Sequence, residues 1–354
     1  LNGEQYGRHS RKSNSDVELG RLKGGFVGRL SIVLTVLALG CGSEYGGTVQ
    51  WTELYSVGVL EGPETRVFGE IRDLAIDKDD RVYVLDGQAK QLRVFGPNGS
   101  FITQTGRLGE GPGEFREPFD LEWAGDGSLL VYDPGNQRIT RYAAGTLDRL
   151  GEWRTDLQGW EICVDGEQIV GLEARNGNRV HRYEVVAGAL SPVSSMSAPH
   201  SDNPLLADYE IMSKLDCGGG MDGVVFGSEL YLTVEFVDLE GRSSMARMPP
   251  DLEHIVIEPT EDASVRVGLR EDGPGYFHRI TGLFQDGEAA LVSIHSESRE
   301  GLEPDGTLWR VSPGEDSEMV GTVPFVPMAR RGDLFAGVVR DPFPRVILSR
   351  ASGT

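Results

Sequence analysis

Cysteine is scarce. Only Cys41, Cys163 and Cys217 occur in 354 residues, with no Cys-x-x-Cys pair. A scaffold built from disulfides is excluded, and a structural zinc site has no support. The six histidines, His9, His181, His200, His254, His278 and His295, show neither His-x-x-x-His nor His-Glu-x-x-His spacing. A zinc hydrolase therefore lacks its usual cue. A Gly-x-Ser-x-Gly elbow is missing too, and with it the mark of many serine hydrolases. No apolar run is long enough to span a bilayer as a helix. After Gly47 no stretch shows a sustained 3.6-residue apolar period. Basic residues are few, 34 against 55 acidic ones, for a net charge of −21. Such a surface disfavours nucleic acid, whose binding depends on neutralising phosphates. Solubility is the simple reading of this charge, and a basic partner the specific one.

What is present is a repeat. Phe68, Glu70, Asp73, Leu74, Asp79, Val84 and Asp86 recur 47 residues later as Phe115, Glu117, Asp120, Leu121, Asp126, Val131 and Asp133. Leu92 and Phe95 recur as Ile139 and Tyr142. The alignment needs no gap, and a period of this length marks a solenoid, propeller or array. Each unit reads as four short strands between turns. Asp73–Ile76 is followed by the turn cluster Asp77–Asp80. Arg81–Leu85 is followed by Asp86-Gly87. Gln91–Phe95, with its period-2 alternation, is followed by Pro97-Asn98-Gly99 and then Ser100–Thr105. Four antiparallel strands per unit make the blade of a β-propeller. A β-sandwich also uses short, evenly spaced strands, but it does not need the same side chains at the same offset.

In chain order, the first 41 residues hold six Lys/Arg and three Asp/Glu. Leu30–Leu39 then forms an apolar core of signal-peptide length. It ends Leu37-Ala38-Leu39-Gly40-Cys41, which resembles the lipobox of bacterial lipoproteins, with Ala38-Leu39 departing from the preferred order. The expectation is a signal peptide over 1–40, a lipidated Cys41, a tether over 41–47 and one propeller over 48–354. A plain signal peptide is the runner-up. Thr48–Ser56 reads as an orphan strand. It is expected to close the last blade by pairing near Arg345–Ser349, because an open sheet edge is a liability.

Blades are expected at Val67–Gly106, Glu114–Trp153, Trp160–Met196, Cys217–Glu258 and Tyr276–Ser312, with a sixth from Pro327. Turns are expected at Asp165-Gly166, Gly227-Ser228, Asp286-Gly287, Asp305-Gly306 and Asp341-Pro342. Residues 204–214 are given a short helix, and Pro259–Gly275 is an acidic insertion. The glycine-rich Gly109–Phe115 superficially matches a phosphate loop. Pro112, the strand that follows and two glutamates make it a crossing between blades instead. Arg331-Gly332-Asp333 spells an adhesion tripeptide and is read as accidental.

The run Gly109-x-Gly111-Pro112-Gly113-Glu114-Phe115-x-x-Pro118, with Asp126-Gly127-x-Leu129-x-Val131-x-Asp133-x-x-Asn136-x-Arg138-Ile139, resembles an NHL repeat. The whole resembles the six-bladed β-propeller lipoproteins of bacteria, within the TolB-like group. That resemblance implies an exported protein, tethered at the cell envelope by lipid. It implies no single activity, since propellers host binding modules and enzymes alike.

In a propeller the innermost strands line a central channel. Asp73, Asp120 and Glu161 stand near the starts of three of them, with Asp216 or Asp222 in blade four, His278 and Arg279 in blade five, and Arg330 and Arg331 in blade six. These are the candidate channel-mouth residues. Asp73, Asp120 and Glu161 are also candidate ligands for a hard cation such as Ca²⁺. The alternative is that each aspartate serves the scaffold by accepting N–H groups from the neighbouring blade. Cys163 and Cys217 are either a disulfide or two buried thiols. Two functions follow. One is a monomeric binding module for a protein, peptide or glycan, without cofactor, touching the membrane only through its anchor. The other is a metal-dependent lyase or lactonase acting at the channel mouth.

Overall fold

The computed structural model describes residues 49–175, 178–196, 213–217, 223–229, 231–253, 255–259, 265–269 and 273–353. Signal segment, Cys41 and tether lie outside the described residues, as do His9, His200, Asp222 and His254. The described residues fall within one compact unit, Tyr45–Thr354. No described helix is long and apolar enough to cross a membrane.

The chain is an all-β, six-bladed propeller of four-stranded antiparallel blades. Blade one is Ile71–Ile76, Val82–Asp86, Gln91–Phe95 and Phe101–Thr105, from the innermost strand outward. Blade two is Asp120–Trp123, Leu129–Asp133, Arg138–Tyr142 and Arg149–Arg154. Blade three is Ile162–Asp165, Gln168–Arg175, Asn178–Val186 and Ala189–Met196. A single parallel rung, Ala189 to Arg154, joins the outer edges of blades two and three. Blade four is Ser213–Cys217, Gly223–Ser228, Thr233–Asp238 and Ser243–Met245. Blade five is Tyr276–Asp286, Ala289–Ser298, Gly301–Val311 and Glu318–Val323.

Blade six takes three strands from the C-terminus, Val326–Arg331, Leu334–Val339 and Arg345–Ser352. Its fourth strand is Gln50–Val57, from the other end of the chain, in register from Gln50 with Ser352 to Val57 with Val346. The ring is thus closed as the orphan strand suggested. Closure removes the open edge and ties the two ends of the propeller together.

The core lies between blades. One cluster packs blade one on blade six through Leu74, Val84, Phe95, Ala336 and Leu348. Another packs blade one on blade two through Tyr83, Leu92, Phe115, Leu121 and Val131. Alternate residues of the innermost and second strands point into such a seam, which is why the repeat preserves Leu74/Leu121 and Val84/Val131.

Four sequence expectations need correction. Blade four begins at Ser213, not Cys217, so Ser213 and Lys214 are strand rather than the end of a helix. The rest of that expected helix lies outside the described residues. Gly227-Ser228 sits in a strand, and turn residues follow at Glu229, Tyr231 and Leu232. Asp305-Gly306 lies within Gly301–Val311, because blade five is built from longer strands than the repeat predicts. Finally, the acidic insertion supplies one strand of an extra hairpin, Val256–Pro259 paired with Val265–Gly268.

Candidate functional site

The repeated aspartates first show what the scaffold needs. Buried Asp86 accepts N–H bonds from Gly69 (3.0 Å), Glu70 (3.3 Å), Gln88 (3.1 Å) and Ala89 (2.9 Å). Its copy Asp133 accepts from Arg116 (3.0 Å), Glu117 (2.8 Å) and Asn136 (3.2 Å). Each carboxylate thus saturates the backbone of a crossing between blades.

The innermost strands carry a second relay around the axis. Asp73 accepts the N–H of Leu121 in the next blade at 2.8 Å. Asp120 accepts from Ile162 at 2.7 Å, and Glu161 from Leu215 at 2.9 Å. The scaffold role weighed for these residues is therefore present.

Two stacked rings of side chains, one residue per blade, surround the axis. Arg72, Phe119, Trp160, Ser213, Thr281 and Met328 form the outer ring and line a mouth cavity of about 740 Å³. Asp73, Asp120, Glu161, Lys214, Gly282 and Ala329 each follow one residue later and line a cavity of about 300 Å³ deeper in the channel. Three outer-ring residues, Arg72, Thr281 and Met328, sit at bulges where the strand register shifts. A bulge re-aims a side chain. These three bring chemically unlike groups into the mouth.

The mouth is apolar in its body and charged at its edge. Phe119 and Trp160 form a tilted pair 4.9 Å apart, and Arg72 covers the Phe119 ring at 5.0 Å. Trp160 is 39% exposed, high for so large an apolar surface. Leu302, Val326, Val338 and Pro344 line the other side. Arginine, lysine and glutamate side chains pair along part of the edge. Arg279 reaches Glu229 through Nε (2.8 Å) and Glu297 through Nη1 (3.0 Å). Lys214 is bonded to Glu161 and lies 3.7 Å from Glu229. Thr281 is fixed from behind. The ring Nε2–H of buried His295 donates to the Phe325 carbonyl at 3.1 Å, so Nδ1 is left to accept the Thr281 hydroxyl at 2.6 Å. Burial pushes the His295 pKa down to about 4, which keeps the ring neutral.

In the channel, burial raises the carboxyl pKa values. Asp73 is pushed up to about 7 even though hydrogen bonds from Asp120 and Leu121 favour its charged form. Burial and the charge of Asp73 hold Asp120 well above the usual range. Burial and three neighbouring carboxylates do the same to Glu122. Burial moves Glu161 to about 7 and Asp216 to about 6. Burial opposes the Lys214 ammonium, but the charges of Glu161 and Glu229 outweigh it and keep its pKa above the ordinary lysine value.

The predicted site residues are only partly brought together. Asp73, Asp120 and Glu161 line the channel, and Arg279 lines the mouth. His278 turns aside, its Nδ1 accepting the Glu253 N–H at 2.8 Å. Arg331 points away and pairs with Asp80 at 2.8 Å, and Arg330 faces the channel in its place. Among the described residues no three His, Cys, Asp or Glu side chains are placed to hold a metal ion. The ring does not fit Ca²⁺, because its carboxylates are committed to backbone N–H groups, to one another and to Lys214. Cys163 and Cys217 lie on the innermost strands of blades three and four. Their Cα atoms are 5.6 Å apart and the structure joins them as a disulfide. Sequence reasoning missed Phe119, Trp160 and Lys214. Phe119 and Trp160 carried a weak signal, each preceding a predicted ring carboxylate, whereas Lys214 fell in a segment read as helix.

Comparison with known proteins agrees with this architecture. Residues 50–169 match the family model DUF5128, described as a 6-bladed beta-propeller. No curated protein matches the chain. Among solved structures, U3-55K is 14% identical with a TM-score of 0.53, over 86% of this chain and 98% of that one. The WD40 repeats of RRP9 are 13% identical with a TM-score of 0.52, over 87% and 99%. A member of the duf4221 family from Bacteroides vulgatus is 8% identical with a TM-score of 0.53, over 86% and 98%. At these identities the likeness is one of fold alone. The chain is a six-bladed β-propeller, similar over its first blades to the family described by that name.

Proposed function

We propose that this propeller is a binding module that grips bulky apolar side chains of a peptide or protein partner in its channel mouth. The observation that carries this reading is the outer ring. Phe119 and Trp160 give an exposed aromatic platform inside a concave wall with a large apolar share, and at its edge Arg279 is paired with Glu229 and Lys214 with Glu161. An apolar centre with a polar rim is the anatomy of a protein interface hot spot. A ligand dominated by charge would have to break the Arg279–Glu229 and Lys214–Glu161 pairs. Blade five adds a wall. Its innermost strand has 11 residues against four to six in the other blades, and Tyr276–Arg279 extend it beyond the mouth.

The module is exported and held at a bacterial cell envelope through a lipidated Cys41. The signal-like segment before Cys41 supports this. The Cys163–Cys217 bond also suits an oxidising compartment. The lyase or lactonase reading rests on the ring carboxylates as metal ligands, and their commitments do not favour it.

The test is binding of the full chain and of Trp160→Ala to a peptide library and to an envelope glycan array. Peptides with a large apolar residue are expected to bind. The variant should lose about thirtyfold in affinity, the ~2 kcal/mol of a hot-spot aromatic. Binding of glycans alone, or peptide binding indifferent to Trp160, would overturn the reading.

A further inference from the structure

The deeper ring holds a substitution that the scaffold does not explain. In blades one to three this position is a carboxylate that takes the next blade's N–H. In blade four it is Lys214, which has no acceptor to offer. Asp216, two residues along the same face, takes over and accepts the Gln285 N–H at 2.7 Å. Released from the relay, Lys214 turns back onto Glu161 and approaches Glu229. Blades five and six place Gly282 and Ala329 at the ring, so the opposite wall is bare.

We propose that the Lys214 ammonium is the resident cation of the channel. It fills, as part of the chain, the place where a free cation would otherwise sit, and so closes the axis to cationic ligands. The inference does not depend on what the mouth binds. It follows from the charges that face this point from each element. Asp73, Asp120 and Glu161 come from the innermost strands of blades one to three, and Glu122 and Asp216 lie one step deeper. Glu229 comes from the turn after the second strand of blade four. Four arginines line the channel or its mouth, Arg330 in the deeper cavity and Arg72, Arg279 and Arg340 around the mouth. Arg330 is bonded to Asp286 at 2.9 Å, and Arg279 to Glu229 and Glu297. Without Lys214 the cation left among the described residues of the deeper cavity is Arg330, which is committed to Asp286. Buried carboxylates in that position take up either a proton or a cation. The bare wall leaves room for a small amine.

The experiment deletes the lysine from the full chain and supplies its missing part. Lys214→Ala lacks the equivalent of n-propylammonium, and n-propanol is the neutral probe of the same size. At pH 8 the variant should melt below the wild type. It should recover part of the loss with propylammonium and none with propanol, while the wild type responds to neither. Lowering the pH to about 5 should narrow the gap, because the ring carboxyls then hold protons. If Lys214→Ala does not fold, Lys214→Met keeps the stem, and adding Glu161→Gln should raise its melting point above that of the single variant. A variant as stable as the wild type at pH 8 overturns the proposal. So does a loss restored by neither the amine nor Glu161→Gln, a recovery that propanol matches, or an equal response by the wild type.

Discussion

Blades one and two are near copies, and blades four and five are not. In the first pair the same residues do the same work. Asp86 and Asp133 each collect N–H groups from an inter-blade crossing, Phe68 and Phe115 are buried beside them, and Val84 and Val131 fill equivalent seams. In the second pair strand length runs from three to 11 residues, a hairpin is inserted between the blades, and neither of the ring positions matches its neighbours. The difference separates two kinds of selection on one fold. What repeats holds adjacent blades together. What fails to repeat faces the channel, in Lys214, Gly282, Thr281 and Arg279.

The sharpest way to break this comparison is to attack the repeated part. Removing Asp86 leaves four backbone N–H groups short of an acceptor and strips buried Arg93 of its carboxylate at 3.4 Å. The expected loss for Asp86→Ala is about 3–5 kcal/mol, the range for breaking a buried charged network. Asp133→Ala should cost somewhat less, about 2–4 kcal/mol, because it loses the same kind of backbone acceptor but strands no arginine, Thr140 standing where blade one has Arg93. Urea unfolding at pH 7 reads both. If one is severe and the other mild, the repeat is a sequence relic and not a shared mechanical element.

The repeat explains what could be read in the sequence. Identical side chains at a fixed offset have to meet identical surroundings, so blade architecture, the closing strand and the relay through Asp73 and Asp120 were all within reach. The ring position of blade four was not. Pro204–Lys214 follows the polar stretch Ser197–Asn203 and reads as one short helix, so the start of the Ser213–Cys217 strand looks like its tail until the pairing with Gly223–Ser228 is seen. The mouth was hidden for another reason. Phe119 and Trp160 each read as an ordinary apolar residue at the start of a strand, and only the packing of blade three beside blade two brings them to 4.9 Å. Of the two turns expected in blade five, Asp286-Gly287 is present and Asp305-Gly306 is not: it has the chemistry of a turn, yet long-range pairing of Gly306 with His295 and Val323 overrides it.

A gentler test concerns charge along the axis. The Asp73 pKa is raised from 3.8 to about 7 in the fold, so folding favours its protonated form. Stability from this group is complete below about pH 4 and is lost as pH climbs to about 7. Asp73→Asn imitates the protonated carboxyl, still accepting from Leu121 and still able to donate to Asp120. The variant should show a flatter decline between pH 5 and pH 8 and exceed the wild type at pH 8, by on the order of 1 kcal/mol or more. Asp77 and Asp286 do not confuse the reading. Despite burial, hydrogen bonds from Arg81 and Arg330 hold both below the usual carboxylate range, so they stay ionised across this window. A variant weaker than the wild type at pH 8 would mean that Asp73 works there as an anion paired with Lys214.

The smallest effect belongs to Arg331, and it tests how finely a channel-wall residue can be told from its neighbour. Arg330 and Arg331 are adjacent in one strand, so their side chains leave on opposite faces. Arg330 enters the channel wall, over the Phe335 ring at 5.7 Å and bonded to Asp286. Arg331 reaches outward across the join between blades six and one to Asp80, and both side chains are solvent-exposed. Exposed ion pairs contribute little, because water screens them and two long side chains must be ordered. Arg331→Ala should therefore shift unfolding by no more than about 0.5 kcal/mol and leave peptide affinity at the mouth unchanged. A loss of affinity in Arg331→Ala comparable to that of Trp160→Ala would put the binding surface on the outer rim of blade six. The contrast between a repeated scaffold and an unrepeated mouth would then have been drawn in the wrong place.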